Sequence, residues 1–326
     1  MQRTLFIVLR RIALAIGLVL AVLALNFMLI HAAPGDPAIV IAGEMGGADE
    51  ATMASIRKAY GLDRPLHEQF FTYLGKSLRG DLGISYTYNR PVLELILERL
   101  GPTVLLVLTS LFSAIVLGTG LGVFASRRPA SMTSGVVTVF SLVGYAMPVF
   151  WTGILLVILF GKVWPVMPIS GMRDVRILGA PPFETALDIL HHLVLPAATL
   201  AIVYLAQYSR LARSSMLEIL GNDYIRTARA KGLSDAVVTY KHALRNAMMP
   251  IVTIAGLQFG NLISGAVLVE TVFSWPGLGT LALDAILGRD YPTLLGVLTF
   301  SALLVILANL MTDFSYRWID PRLRGK

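Results

Sequence analysis

The sequence predicts an all-α integral membrane protein with six transmembrane helices. Of its 326 residues, 56% are hydrophobic and only 14% are charged, and the mean hydropathy is +0.71, whereas about a quarter of the residues of a soluble domain are charged. Six apolar runs are close to the ~20 residues that a helix needs to cross a hydrocarbon core of about 30 Å. Lys and Arg concentrate on one side of these runs, as in multi-pass membrane proteins.

The predicted spans are, in chain order, Ile12–Ile30, Thr103–Ala125, Gly135–Phe160, His191–Tyr208, Met248–Val269 and Thr293–Thr312. The first span follows three arginines, as a signal peptide does. Its apolar run is longer than a signal core, and no clean small-residue cleavage site follows it, so we interpret it as an uncleaved span. The fourth span departs most from the apolar pattern, because His191, His192 and Pro196 lie in its first turns.

The distribution of basic residues predicts that both termini are cytoplasmic. Of the 27 Lys and Arg, 16 lie in the N-terminus, the turn Ser126–Ser134, the loop Ser209–Ala247 and the C-terminal tail. Most of the others lie in the long loop Ala32–Gly101, where translocation is relatively insensitive to charge. The pI near 9.7 therefore reflects orientation in a bacterial inner membrane, and we expect membrane lipid and no nucleic acid as a partner.

Three regions follow from this topology: residues 1–31, with the first span; residues 32–101, an outer loop region; and residues 102–326, with five spans and the cytoplasmic loop 209–247. In the outer region we expect a short helix that Asp49 and Glu50 open and Gly61 closes. A second helix should begin near Pro91 and run into the second span. The chain has no Cys, which excludes disulfides, thiolate metal sites and cysteine nucleophiles.

The cytoplasmic loop contains two short helices that meet at a glycine turn. Asn222 can cap a helix from Asp223 to Lys231, Gly232 can end it in the left-handed conformation, and Ser234 can cap the next helix. On the first helix, Tyr224 and Ala228 lie four residues apart with Ile225 beside them, whereas Arg226 and Arg229 lie on another face. Such a part-apolar, part-basic surface suits a groove on a partner protein or, alternatively, the headgroups of anionic lipids.

The segment TARAKG, followed by LS and KHALRNAMMP, resembles the signature loop of ABC importer permeases in the form carried by the dipeptide, oligopeptide and nickel branch. The motif's second Ala falls on Ala228 and its Gly on Gly232. The wider family's Ile-x-Leu-Pro end is matched only by Leu244, which is usual in the peptide branch. The resemblance extends over nearly the whole chain through PGDP (34–37), YGLDRPL (60–66), GDLGIS (80–85), VETVFSWPGLG (269–279), RDYP (289–292) and DPR (320–322).

This resemblance implies a type I importer permease fold and a transport subunit rather than an enzyme. It implies that the Gly-ended helix couples to an ATPase through Asp223, Tyr224, Ile225, Arg226, Thr227, Ala228, Arg229, Ala230, Lys231, Gly232, Leu233 and Ser234. The chain has no GxxxxGK[ST] run to hold nucleotide phosphates, so ATP and Mg would be bound by partner subunits. The implied partners are two ATPases, a second permease, more often in a heterodimer than a homodimer, and an outer solute-binding protein. Dipeptides, oligopeptides, glutathione, nickel complexes and oligosaccharides all stay open as cargo.

Several polar residues have two interpretations. Gln258 and Asn261 in the fifth span can line a translocation pathway, whereas Gly256, Gly260 and Ser264 pack against a neighbouring helix, as do Gly118 and Gly122 in the second span. Glu270 can contact the pathway, but its place beside the WPGLG sequence favours a role in holding that turn. His191 and His192 are expected to be structural rather than metal ligands, because no acidic or His-rich cluster accompanies them.

Two other classes of protein fit less well. An intramembrane enzyme would need paired Ser and His, two facing Asp or an HExxH motif within its spans, and the deeper spans contain no Asp or His. A stand-alone secondary transporter or channel stays the main alternative. Such proteins commonly carry intramembrane charges and internal repeats, whereas these spans are nearly free of charge and the most elaborate loop is cytoplasmic.

Overall fold

A computed structural model describes residues 2–32, 53–55, 57–58, 63–177 and 179–319. Within these ranges the regular structure is helical, apart from one isolated antiparallel bridge between Ile84 and Pro91. The short helix expected between Asp49 and Gly61 lies largely outside the described residues, as do the PGDP and DPR motifs.

Ten α-helices of eight or more residues follow one another in the described part of the chain. They are α1 (Gln2–Ala32), α2 (Leu66–Leu78), α3 (Val92–Arg127), α4 (Met132–Ala146), α5 (Val149–Ile158), α6 (Pro182–Leu220), α7 (Asp223–Ala230), α8 (Leu244–Val272), α9 (Leu278–Leu287) and α10 (Tyr291–Ile319). Two π-helical turns, Leu159–Val163 and Val237–Ala243, follow α5 and precede α8. The helix expected near Pro91 is confirmed by α3, which runs without a break into the second predicted span.

Three helices in the described part of the chain are long and apolar enough to cross a membrane: α3, α6 and the Tyr291–Leu310 part of α10. The pair α4 and α5 adds a fourth if the two helices form one span, and the Ala13–Leu29 part of α1 is a shorter apolar helix. The predicted fourth span is thus the middle of the 39-residue α6, which continues through Leu220 into the predicted cytoplasmic loop.

The third predicted span is not a straight helix, which corrects the sequence-based expectation. The chain bends by 106° between α4 and the helix that follows it. Met147 at the bend has an extended backbone, with φ −77° and ψ 132°, because a residue that precedes proline is disfavoured in the α conformation. Pro148 then occupies the N-cap position of α5. The apolar composition of residues 135–160 concealed this break.

The chain divides into two compact units: Met1–Gly101 with Thr280–Ile306, and Pro102–Gly279 with Leu307–Lys326. In the first unit, α1 contacts α2 through Phe27, whose ring lies 5.3 Å from that of Phe70 and 6.1 Å from that of Tyr73, measured between centroids. Asn26 donates a hydrogen bond to the hydroxyl of Thr299 on α10, at 2.8 Å. These contacts join three helices that are distant in sequence.

In the second unit, α6 is the central helix and packs against α4, α5 and α8. Two glycines let α3 approach it closely. A Cβ on Gly118 would lie 2.7 Å from the carbonyl oxygen of Leu205, and one on Gly122 would lie 2.5 Å from that of Ser209. The prediction that Gly118 and Gly122 serve helix packing is therefore confirmed.

Candidate functional site

The short helix α7 has the ends that the sequence predicts. Asn222 holds the N-cap position with extended backbone, although its side chain makes no capping hydrogen bond. At the other end, Gly232 has a φ of +78°, and its amide donates to the carbonyl of Arg229 at 2.9 Å. The amide of Leu233 donates to the carbonyl of Ala228 at 3.4 Å. These two bonds form a Schellman motif, in which the left-handed position favours glycine.

One face of α7 packs into the core of its own chain. Ile225 is fully buried and Ala228 is 8% exposed. Both belong to a cluster with Met216, Val238 and Ala243. The two side chains therefore fix α7 in place from within, so the apolar part of the predicted docking surface is smaller than the sequence suggested.

The opposite face of α7 and the turn after it are open to solvent. The exposed residues are Asp223, Tyr224, Arg226, Thr227, Arg229, Ala230, Lys231, Gly232, Leu233 and Ser234. We call this set the α7 surface. Tyr224 and Leu233 offer apolar contact area, with 42% and 40% of their surface exposed.

The charges of the α7 surface are mainly basic and only loosely paired. Arg226 lies 3.4 Å from Asp223, and Arg229 lies 3.6 Å from Asp235. All four side chains are at least half exposed, and such ion pairs contribute only about 0–1 kcal/mol. Both guanidinium groups can therefore leave these ion pairs and bind an acidic partner with little loss of free energy.

A hydrogen bond links α7 to the first turn of α8. The side-chain amide of Asn246 donates to the hydroxyl of Tyr224 at 2.9 Å and to the carbonyl of His242 at 3.3 Å. Together with the buried contacts of Ile225 and Ala228, this bond connects the exposed helix to one that runs through the predicted fifth span.

Glu270, at the end of α8, is a fully buried carboxylate. It accepts a hydrogen bond from the hydroxyl of Thr103 at 2.6 Å and one from the amide of Gly279 at 2.7 Å. The same hydroxyl accepts from the amide of Leu278 at 2.8 Å, and the indole of Trp275 donates to the carbonyl of Pro102 at 2.9 Å. Glu270 thus holds the WPGLG turn against the start of the second predicted span, in agreement with the structural interpretation.

The two amides expected to line a pathway lie on α8. Gln258 is 9% exposed and donates to the side-chain oxygen of Gln207 on α6, at 2.8 Å. Asn261 follows one turn later, and its side chain lies outside the described atoms. The structure therefore joins Gln258 to a second amide that the sequence did not single out.

Of the two adjacent histidines, His191 is exposed and His192 is buried. His192 is 8% exposed, and its Nδ1 lies 3.2 Å from the carboxylate of Asp188 and 3.0 Å from that residue's carbonyl oxygen. Asp188 also accepts from the amide of Asp174 at 2.8 Å. In the part of the chain that the structure describes, no group of three His, Asp or Glu is placed to hold a metal ion.

A second buried carboxylate was missed from the sequence. Asp290, fully buried before α10, accepts hydrogen bonds from the hydroxyl of Ser85 at 2.5 Å, the amide of Thr87 at 3.3 Å and the hydroxyl of Thr293 at 2.8 Å. These bonds join GDLGIS to RDYP, two motifs quoted above for the resemblance. The sequence contains both motifs, but it does not show that Ser85 and Asp290, 205 residues apart, form a pair.

Beside this carboxylate, Tyr88 donates from its hydroxyl to Asp284 at 3.2 Å. Burial and the negative charge of Asp284 raise the pKa of Tyr88, since both disfavour the phenolate. Tyr88 is therefore a neutral donor at physiological pH.

Residues 118–325 match the model of the family described as "Binding-protein-dependent transport system inner membrane component", and residues 3–107 match the N-terminal model of the same transport-system membrane components. The chain belongs to this family. Its fold is also found in the inward-facing MetNI methionine ABC transporter, with a TM-score of 0.54 and 20% identity over 69% of this chain and 96% of that chain.

Curated members of the family resemble the chain along almost its whole length. The dipeptide transport system permease protein DppB of Escherichia coli K12 is 40% identical in an alignment of 335 positions that covers 98% of each chain. The di/tripeptide permease DppB of Pseudomonas aeruginosa is 41% identical, with 97% of each chain covered. The oligopeptide permease AppB of Bacillus subtilis is 38% identical over 97% of this chain and 98% of the relative. The chain is thus an ABC transporter permease.

Proposed function

We propose that this chain is the transmembrane permease subunit of an ATP-driven peptide importer and forms half of its translocation pathway. The observation that carries the proposal is the near-full-length likeness to permeases named for dipeptide, di/tripeptide and oligopeptide transport. The exposed, basic α7 surface supports it, because a chain without a phosphate-binding loop needs a site at which an ATPase can act.

The proposed topology has six spans, formed by α1, α3, the bent α4–α5 pair, α6, α8 and α10. Both termini and α7 then lie in the cytoplasm of a bacterium, and residues 63–101 lie outside it. The excess of Lys and Arg in the N-terminus, in loop 209–247 and in the C-terminal tail supports this orientation.

Energy would enter through α7. ATP and Mg, bound by two partner ATPases, would favour a closed ATPase pair, and each ATPase would hold an α7 surface of one permease subunit. Because Ile225, Ala228 and Tyr224 tie α7 to residues in and before α8, displacement of α7 would move α8 with it. The ATPases would thereby shift the permease between inward-facing and outward-facing states by binding the two states with different affinity.

The remaining partners come from the family. A second, homologous permease would complete the pathway, in a heterodimer, and an outer solute-binding protein would deliver the peptide. In this proposal Gln258 and Asn261 face the pathway. Glu270 instead holds the WPGLG turn, since its carboxylate is occupied by Thr103 and Gly279.

Co-purification of the ATPases tests the coupling site. The double variant Arg226→Glu, Arg229→Glu reverses two exposed charges three residues apart without touching the buried cluster. We expect the tagged permease to be inserted normally and to lose its ATPases, because arginines at the centre of an interface commonly contribute about 2 kcal/mol or more each. The matched control is Arg173→Glu, Arg176→Glu, which makes the same change at two exposed residues with the same spacing in the proposed outer segment.

The control variant should retain its ATPases in full. Loss of the ATPases from both variants would indicate a general effect of charge reversal on assembly. Full retention by the α7 variant, together with normal ATP-dependent transport, would contradict the assignment of α7 as the docking helix.

A further inference from the structure

Helix α2 (Leu66–Leu78) belongs to none of the sites above, yet it exposes large apolar side chains. Phe71 is 66% exposed and Leu78 is 62% exposed, and none of the 13 residues of α2 is fully buried. Large exposed apolar side chains on one face of a helix indicate a face that contacts lipid or another protein. The three faces of α2 and its depth in the membrane distinguish between these two partners.

The residues of α2 divide into three faces. The inner face carries Phe70 and Tyr73, which contact Phe27 of α1. Phe71 and Leu78, seven residues apart, are separated by only about 20° around the helix and form the exposed apolar face, which the exposed His67 borders in the first turn. Lys76 lies about 160° round from Leu78.

The polar face carries Glu68, Thr72 and Lys76, spaced every four residues and all exposed. The helix thus offers core contacts on one face, apolar side chains on a second and polar side chains on the third. This division is typical of a helix that lies in the boundary between lipid and water.

The contacts of α2 place it beside the apolar length of α1, which in turn contacts α10. Phe27, which packs against Phe70 and Tyr73 of α2, lies inside the apolar stretch Ala13–Leu29 of α1. The residue before it, Asn26, donates a hydrogen bond to the hydroxyl of Thr299 of α10 at 2.8 Å, and Thr299 lies near the middle of the apolar stretch Tyr291–Leu310. In the proposed topology, which this inference rests on, both contacts lie below the outer surface of the hydrocarbon core.

The helix also keeps a nearly constant depth. Near its start, Gln69 contacts His31 at 3.2 Å, which is four residues or ~6 Å above Phe27 on α1. Just beyond its end, Leu82 lies 3.5 Å from where a Cβ of Gly296 would be, three residues or ~4.5 Å above Thr299. Gln69 and Leu82, close to the two ends of α2, thus lie at heights that differ by only about 2 Å above the level of Phe27 and Thr299. Because α2 itself is about 20 Å long, it lies almost flat along the membrane.

Helix α1, against which α2 packs, also exposes apolar side chains that lipid would cover. Beside Phe27, the side chains of Leu25, Met28 and Leu29 on α1 are 56%, 66% and 49% exposed. We propose that α2 is an interfacial anchor, whose Phe71 and Leu78 insert into the outer leaflet of the bilayer while Lys76 and Thr72 face the water. The partner of this surface is therefore the lipid itself.

The cysteine-free sequence allows a direct test by spin labelling in the assembled complex, reconstituted in phosphatidylcholine–phosphatidylglycerol vesicles. Phe71→Cys and Leu78→Cys probe the apolar face, and Thr72→Cys and Lys76→Cys are matched controls on the same helix. Leu18→Cys, at an exposed residue in the middle of α1, reports on the span. Collision rates with oxygen and with a water-soluble nickel chelate are measured, and the signal from the complex of the Cys-free chain is subtracted.

We expect labels at residues 71 and 78 to collide severalfold more with oxygen than with the chelate, at a depth of about 5–10 Å, and labels at 72 and 76 to show the reverse. Equal access of the chelate to all four sites, with Leu18→Cys protected, would overturn the inference but not the proposed topology. Access at residue 18 would contradict the topology itself. Access at 71 and 78 that disappears only when the solute-binding protein is added would show a protein-docking face and would also overturn the lipid assignment.

Discussion

Replacement of Glu270 by alanine tests whether this buried carboxylate holds the WPGLG turn. The change removes the acceptor for the hydroxyl of Thr103, at 2.6 Å, and for the amide of Gly279, at 2.7 Å. Both donors are buried, so their hydrogen-bonding capacity would be left unmet.

The magnitude follows from the number of bonds that are lost. A buried donor left without an acceptor costs about 1–3 kcal/mol, so the two donors stranded by Glu270→Ala should destabilise the protein by about 2–6 kcal/mol. Glu270→Gln keeps the volume and one acceptor oxygen and should lose about half as much. A loss of this size is a large fraction of the 5–15 kcal/mol that typically separates folded from unfolded states.

The assay is the thermal midpoint of the detergent-solubilised complex, followed through tryptophan emission, since the indole of Trp275 is buried in the same turn. The control is Glu184→Gln, the same change at an exposed residue, which should leave the midpoint unaltered. Thr103→Val completes a double-mutant cycle with Glu270→Gln, and the shared bond should give a coupling energy of about 1.5–3 kcal/mol. Additive effects of the two changes, or a Glu270→Ala protein as stable as the parent, would refute the reasoning.

Two further changes test the packing of each unit. Gly122→Ala puts a Cβ 2.5 Å from the carbonyl oxygen of Ser209 and should destabilise the protein by about 1–3 kcal/mol. Gly120→Ala, whose Cβ meets nothing within 4 Å, should be neutral or stabilising. Equal thermal midpoints for the two variants would contradict the close approach of α3 and α6. Asp290→Ala leaves several buried donors without an acceptor and should expose residues 80–91 to limited proteolysis, with a loss of about 3 kcal/mol or more, while Glu94→Ala at an exposed residue should not. A protease-resistant Asp290→Ala protein would count against the role of that carboxylate.

Local patterns predicted the ends of helices well. Asn222 and Gly232 lie at the two ends of α7 as expected, and Gly232 adopts the predicted left-handed conformation, because such signals depend only on neighbouring residues. The capping hydrogen bond expected from the Asn222 side chain is not made. The same holds for the start of α3 after Pro91. In each case the signal and the structure that it specifies lie within a few residues.

The direction in which α7 faces could not be predicted from the same residues. An eight-residue helix shows which side chains share a face but not which face meets the rest of the chain. Ala228 and Ile225 were expected at the docking surface, and they pack instead against Met216 and Val238. Ala228→Asp would consequently disturb the packing of the loop and is a poor probe of docking, whereas Arg226 and Arg229 are exposed and suitable.

The long-range pairing of polar residues and the bend between α4 and α5 could not be predicted from the sequence either. Ser85 and Asp290 are each unremarkable polar residues until the fold brings them together. The bend at Met147 depends on Pro148, whose effect an apolar average conceals. Helix α2 was missed because its polar and apolar residues are balanced, and that balance is itself what an interfacial helix requires.

The central claim, that α7 transmits ATP-driven motion to a peptide pathway, is tested most directly by transport. The complex is reconstituted in proteoliposomes with its solute-binding protein, and uptake of a labelled dipeptide is measured with and without ATP. The account predicts uptake that depends on ATP in the parent protein and in the Arg173→Glu, Arg176→Glu control, and none above background in the Arg226→Glu, Arg229→Glu variant. Equal uptake with and without ATP, or undiminished ATP-driven uptake by the α7 variant, would contradict it.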